Sequence, residues 1–183
     1  MKINSLQLIL ELTEKVNSHL AYANFLKDKP HHELNRKSDV DAWSVLECLE
    51  HLNLYGHFYI PEIQQRVTTS RLPNSAEFKS GYLGNKFALS MLPKVGMKTM
   101  KTFKSKNPIH SKLTKEKVLD TFIDQQKEFL TLLKNSKEKN LTKTKTSTTI
   151  PFLKFRLGDT LRFVIYHNER HVVQAKKMLA DQK

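Results

Sequence analysis

Two histidines four residues apart, His167 and His171 in the stretch "YHNERHVVQ", are the residues best placed to do chemistry. Four residues is close to one helical turn, so on a helix both rings project from the same face, one above the other. A pair of imidazoles at that spacing is a common way for a helix to offer two ligands to a divalent metal. The plainer alternative is a polar patch on a basic protein. Steps of three and four residues from His167 also reach Val164, Gln174 and Met178. The adjoining row is Leu161, Ile165, Asn168, Val172, Ala175 and Leu179, which reads as a core stripe. The histidines therefore border the buried face, where both nitrogens of a ring need partners.

A metal needs at least a third ligand. His51, in "WSVLECLEHLNLY", is the candidate, with Leu49 and Leu52 beside it on the core side. Helix bundles build metal sites from side chains that face each other across the core. Three histidines and one open position make a catalytic zinc arrangement rather than a closed structural one. Such an ion lowers the pKa of a bound water to roughly 7 and polarises a substrate oxygen or sulfur.

The neighbours carry weaker signals. Glu47, one turn before His51, could orient an imidazole or act as a base. Its competing reading is a carboxylate favoured in a first turn by the helix dipole. Cys48 could be a ligand or nucleophile, but a small buried core residue is the simpler reading. Tyr55, one turn after His51, lines a pocket or packs, and His57 should point away. His19, His31, His32 and His110 lack partners at matching spacing and read as surface residues. "HNERH" is not the zincin pattern: Glu169 lies about 200° around the helix from His167 and faces away from it.

These residues need helices to hold them, and the chain offers four periodic segments. The first runs from about Ser5 to Lys27, with Ile9, Leu12, Val16 and Leu20 on one side, and stops before Pro30. The second follows "SDVDAW", with Asp39 or Asp41 as its expected cap and Pro61 as an expected kink or restart. The third starts near Thr114 and turns Val118, Phe122, Phe129 and Leu133 inward; the fourth starts near Gly158 and Asp159. A short helix is expected around Lys86–Leu92, between Gly84 and Pro93, and "NLTKTKTSTTIPFLKF" reads as extended. The long connection 68–113 can carry the chain from one end of a bundle to the other. The expectation is an all-α, single-domain four-helix bundle over 1–183, with one long crossover between helices two and three.

Composition narrows the function classes. The chain has 183 residues, 39% apolar and 27% charged, as in an ordinary globular protein. Glu11 and Glu14 interrupt any signal-peptide core near the start, and no apolar run is long enough to span a bilayer. The single Cys48 excludes an internal disulfide and a cysteine-cage zinc finger, so cytoplasm is the default location. The formal charge of +13 is uneven: from Arg66 to Lys112 there are ten Lys and Arg against one acid, Glu77. No aromatic-basic recognition motif accompanies that excess, so it reads as a solvated surface before it reads as a nucleic-acid interface.

Taken together, "WSVLECLEHL", "FRLGDTLRF" and "HNERHVVQ", in this order and spacing, resemble the DinB/YfiT-like superfamily over nearly the whole chain. The resemblance implies an up-down-down-up four-helix bundle. It implies a divalent metal, zinc or nickel, on a helix-two histidine and two helix-four histidines, here His51, His167 and His171. It also implies homodimers. Relatives include thiol-dependent S-transferases and a mycothiol-dependent maleylpyruvate isomerase. The expected activity is therefore a metal-dependent transferase or hydrolase acting on a small molecule, with a low-molecular-weight thiol as a candidate cofactor. Glu47 is its candidate catalytic residue. The alternative is a non-catalytic, stress-related binding or metal-sequestering module.

Overall fold

The structure, a computed structural model, describes residues 1–94, 102–109 and 111–181. Its long helices are α1 (Ser5–Lys27), α3 (Val45–Thr69), α5 (Lys115–Ser136) and α6 (Leu157–Ala180). Shorter helices are α2 (His31–Asn35) and α4 (Tyr82–Met91), with a 3-10 turn at Lys104–Lys106. Among the described residues two small antiparallel strand pairs complete the fold, β1 (Lys2–Asn4) with β2 (Glu77–Lys79) and β3 (Lys145–Ser147) with β4 (Lys154–Arg156). The fold is thus predominantly helical, as the periodicity predicts.

Local chemistry sets the helix ends. The Asn4 side chain accepts hydrogen bonds from the Leu6 and Gln7 amides and starts α1. Helix α3 starts on a capping box: Glu47 N–H donates to the Ser44 hydroxyl, and Ser44 N–H donates back to the Glu47 carboxylate. The expected caps Asp39 and Asp41 lie upstream of that start, because a box satisfies two orphan donors where one Asp satisfies one. Pro61 neither stops nor restarts α3, which continues to Thr69. The short helix α4 begins before the expected position and runs through Gly84, where an added Cβ would meet Asp159 at 2.7 Å. Glycine at that position lets α4 sit against α6 rather than ending the helix.

The long helices pack as follows. The start of α3 meets the start of α5, where Asn53 Nδ2 donates to the Val118 carbonyl at 3.0 Å. The end of α1 meets the start of α5 through Lys27 and Asp120, 2.9 Å apart. Helix α6 crosses α3 in the opposite sense, so Cys48 lies against Met178 and Tyr59 against Phe163. Because α3 and α5 meet start to start, the chain must return between them, and the 68–113 connection does so. Part of that return is β2, whose Phe78 is fully buried beneath the first turn of α6.

Two apolar clusters result. One gathers Leu8 to Val16 with Tyr59, Phe129 and Leu161; the other gathers Tyr22 to Leu26 with Leu49, Phe122 and Val172. Each long helix contributes to both, and at the join each carries buried polar residues: His19 on α1, His51 and Asn53 on α3, Gln125 and Gln126 on α5, His167, Asn168 and His171 on α6. A polar layer therefore divides the apolar interior.

The seating of α6 is testable at Gly158, where an added Cβ would fall 2.6 Å from the Phe78 ring. Gly158→Ala should destabilise the protein by about 1–3 kcal/mol through overpacking, read as a lower chemical-denaturation midpoint.

Candidate metal centre

The polar layer brings His51, His167 and His171 together, with one potential ligand atom from each lying within 4.8 Å of the others. His51 Nε2 is 3.2 Å from His167 Nε2. Two nitrogens about 2.0–2.1 Å from a shared tetrahedral ion would themselves be roughly 3.3 Å apart, so this spacing fits a common metal. Exposure is 1% at His51, 6% at His167 and 9% at His171. Rings this buried cannot rely on bulk water for hydrogen bonds.

Each ring is held differently. His51 Nδ1 lies 2.6 Å from the Lys106 carbonyl, which only accepts, so Nδ1 carries the proton and Nε2 presents its lone pair. His171 Nδ1 lies 2.9 Å from Gln174 Oε1, which fixes the same tautomer one turn along α6. Metal-ligating histidines are oriented by such contacts of the second nitrogen with a carbonyl. His167 Nδ1 has no hydrogen-bond partner among the described residues. Aromatic rings close the surroundings: Trp43 lies 4.7 Å from His51 and 5.6 Å from His171, and Tyr55 lies 4.7 Å from His167, centroid to centroid.

The electrostatics favour neutral imidazoles. Burial, opposed in part by the Lys106 carbonyl, takes His51 down to about 4. Burial, with His51 nearby, takes His171 down to about 3. His167 lies well below the ordinary range, from burial first and then its two histidine neighbours. Neutral imidazole is the state that binds a metal, so the three rings are ready to ligate at neutral pH.

The model of the DinB superfamily matches residues 18–175. The chain belongs to the DinB superfamily. No curated protein and no solved structure matches it. The span shared with the superfamily begins at Ser18, beside His19, and closes at Ala175, beside Gln174. All three converging histidines and the Gln174 that orients one of them lie within it.

Within that DinB-superfamily span the remaining candidates fall in various places. Glu47 is 3% exposed, and both carboxylate oxygens are engaged, one by the Ser44 amide and the other by Lys37 Nζ, each at 2.7 Å. It stands as the cap of the helix that carries His51. Cys48 is fully buried against Met178, and burial pushes its thiol pKa well up, which disfavours the thiolate a ligand or nucleophile needs. His57, His31 and His32 are exposed, as their spacing predicts, and His110 lies outside the described residues.

His19 departs from its surface reading. It is fully buried, with Nε2 2.8 Å from the Glu169 carboxylate, and that contact lowers the Glu169 pKa. Glu169 does turn away from the histidine centre, and its partner on α1 is His19. The signal was present in the sequence, since His19 continues the Leu12–Val16 row toward Ala23 and Leu26. Lys106 was also missed, because its contribution is a main-chain carbonyl that no side-chain pattern can reveal. The neighbouring Asn107 Oδ1 accepts a hydrogen bond from Trp43 Nε1 at 3.2 Å, which ties the basic connection to the ring over the centre.

The lowered histidine pKa values set a pH dependence. In the metal-free protein folding keeps His51 neutral to about 4 and His171 neutral to about 3. Unfolded imidazoles titrate near about 6.5, so between these limits the unfolded chain binds more protons. Stability should therefore be full above about pH 6.5 and fall as the pH drops toward 4. Denaturation midpoints across that range should show a shallower slope for His51→Gln than for wild type.

Proposed function

We propose that this chain is a divalent-metal-dependent enzyme, with zinc or nickel held by His51, His167 and His171. The observation that carries the reading is the tautomer control. The Lys106 carbonyl and Gln174 hold the Nδ1 protons of His51 and His171, so each of these rings presents an Nε2 lone pair. The three histidines form a group without a protein carboxylate or thiol among the described residues, which suits a site with an open position. Four long helices in up-down-down-up order, forming one domain over 1–183, are the scaffold of this reading. A homodimer and a cytoplasmic location belong to it as well. No helix among the described residues is long and apolar enough to cross a membrane.

The reaction we propose is transfer or hydrolysis on a small molecule, with a thiol-dependent S-transfer as one form. A divalent ion supplies Lewis acidity, which makes a water or thiol nucleophilic at neutral pH. The chain's own residues do the rest. Trp43 and Tyr55 exclude bulk water, which strengthens charge interactions within the site. Lys106 and Gln174 fix ring orientation, and Glu47, through the cap it forms with Ser44, positions the helix that carries His51.

Metal analysis of the purified protein should find about one zinc or nickel ion per chain. The His167→Ala, His171→Ala double variant should hold none. A wild type that stays metal-free when zinc or nickel is added would overturn the reading. Gln174→Leu should retain the fold and weaken metal affinity by about 10–100-fold, since it removes the contact that orients His171.

A second reading, a metal-sequestering module, is favoured by the burial of all three rings, none more than 9% exposed. Cobalt in the site separates the two. A visible spectrum that shifts when a small thiol is added supports an open, catalytic position. A spectrum that does not respond supports sequestration.

A further inference from the structure

A groove of about 430 Å³, within the size range of small-molecule pockets, shares Lys106 with the surroundings of the histidine centre. Phe58 of α3 lines it together with Phe103 and Lys106 of the connection and Thr148, Thr149 and Pro151 of the β3–β4 turn. The turn wall is held in place. The Thr148 hydroxyl donates to the Leu153 carbonyl at 3.0 Å, and Thr149 N–H donates to the Tyr59 hydroxyl oxygen at 3.4 Å. Phe103 leaves 55% of its surface exposed on this wall of the groove.

Among the described residues the groove is lined by apolar side chains, hydroxyls and one cation. Lys106 Nζ donates to the Leu54 carbonyl at 2.6 Å and lies 5.7 Å from the Tyr55 ring centroid. An ammonium has three donors, so two remain. Its partners among the described residues are thus a carbonyl and a ring, and neither is an anion. Tyr55 is in turn 5.0 Å from His51 and 4.7 Å from His167, centroid to centroid. The ammonium is therefore one aromatic ring away from the histidine centre. The carbonyl of the same residue orients His51.

We propose that this groove is the substrate subsite of the histidine centre and binds a small organic anion with an aryl or alkyl body. The anionic group pairs with Lys106, and the body lies against Phe58, Phe103 and Pro151. Assignment of the groove to a substrate rests on the catalytic reading of the histidines, whereas its affinity for the anion does not. A competing role for the ammonium is a latch on Leu54 that only holds the connection in place. That role predicts a loss of stability on removal of the charge, with no selectivity for anions.

The test is calorimetric titration of metal-free, full-length protein with 4-phenylbutyrate and with the neutral 4-phenylbutan-1-ol. The carboxylate should bind about tenfold more tightly than the alcohol, the effect of one charge-assisted contact. Lys106→Met keeps the main-chain carbonyl on His51 and should abolish that preference; Lys106→Arg should restore most of it. Phe103→Ala, which removes an exposed ring, should weaken both compounds several-fold and keeps the test decisive should the Lys106 variant not fold. No carboxylate binding by wild type, equal binding of the two compounds, or an unchanged preference in Lys106→Met would each overturn the proposal. Anion binding by a protein that takes up no metal would sink only the metal reading. A metal-loaded protein without anion selectivity would sink only the groove.

Discussion

Burial of polar side chains at one level of the helices is the constraint on which the structure turns. Amides and imidazoles removed from water cost free energy unless each polar atom meets a partner. Asn53 reaches the Val118 carbonyl, Gln125 reaches the Asn53 carbonyl, and His19 reaches Glu169. These contacts join α3 to α5 and α1 to α6, and each works only when the helices are in register. A slip of one turn would strand several buried polar groups together, a far larger loss than mismatched leucines would cause. The apolar clusters on either side supply the bulk of the burial, and the layer between them selects the alignment.

In the histidine centre, protein atoms of the described residues alone leave one buried ring nitrogen unpartnered. Its rings face one another rather than amides or carboxylates, and one ring nitrogen of His167 has no partner among the described residues. The connection between α3 and α5 adds what the helices cannot, a carbonyl for His51 and an acceptor for the Trp43 indole. A segment that reads as a basic surface loop is thereby part of the site. At Lys106 the charge and the contribution to the centre come from different atoms of one residue.

What could be read from the sequence follows from which atoms act. The four long helices were legible because apolar periodicity is a side-chain signal, and α1 and α5 begin close to Ser5 and Thr114 as that periodicity predicts. The His51, His167 and His171 grouping was legible from helical spacing together with the family pattern. The α3 cap was misplaced onto Asp39 or Asp41 because several Asp and Ser residues compete there; only the pairing with Glu47 decides for Ser44. Short elements such as α2 and the β1–β2 strand pair gave too few residues for a period, and they form through tertiary contact. His19 read as surface because its partner Glu169 is 150 residues away. Lys106 was invisible for a different reason, since its carbonyl is common to every residue type.

Trp43 is the chain's one tryptophan, and it stands against two imidazoles of the centre while its indole N–H is bonded to the connection. Indole emission responds to the charge, the polarity and the heavy atoms around it. The molecule therefore carries an intrinsic optical gauge at the one spot where ion capture and movement of the connection would both be felt. Changes at the centre can be followed in the unmodified protein, by light alone and in real time.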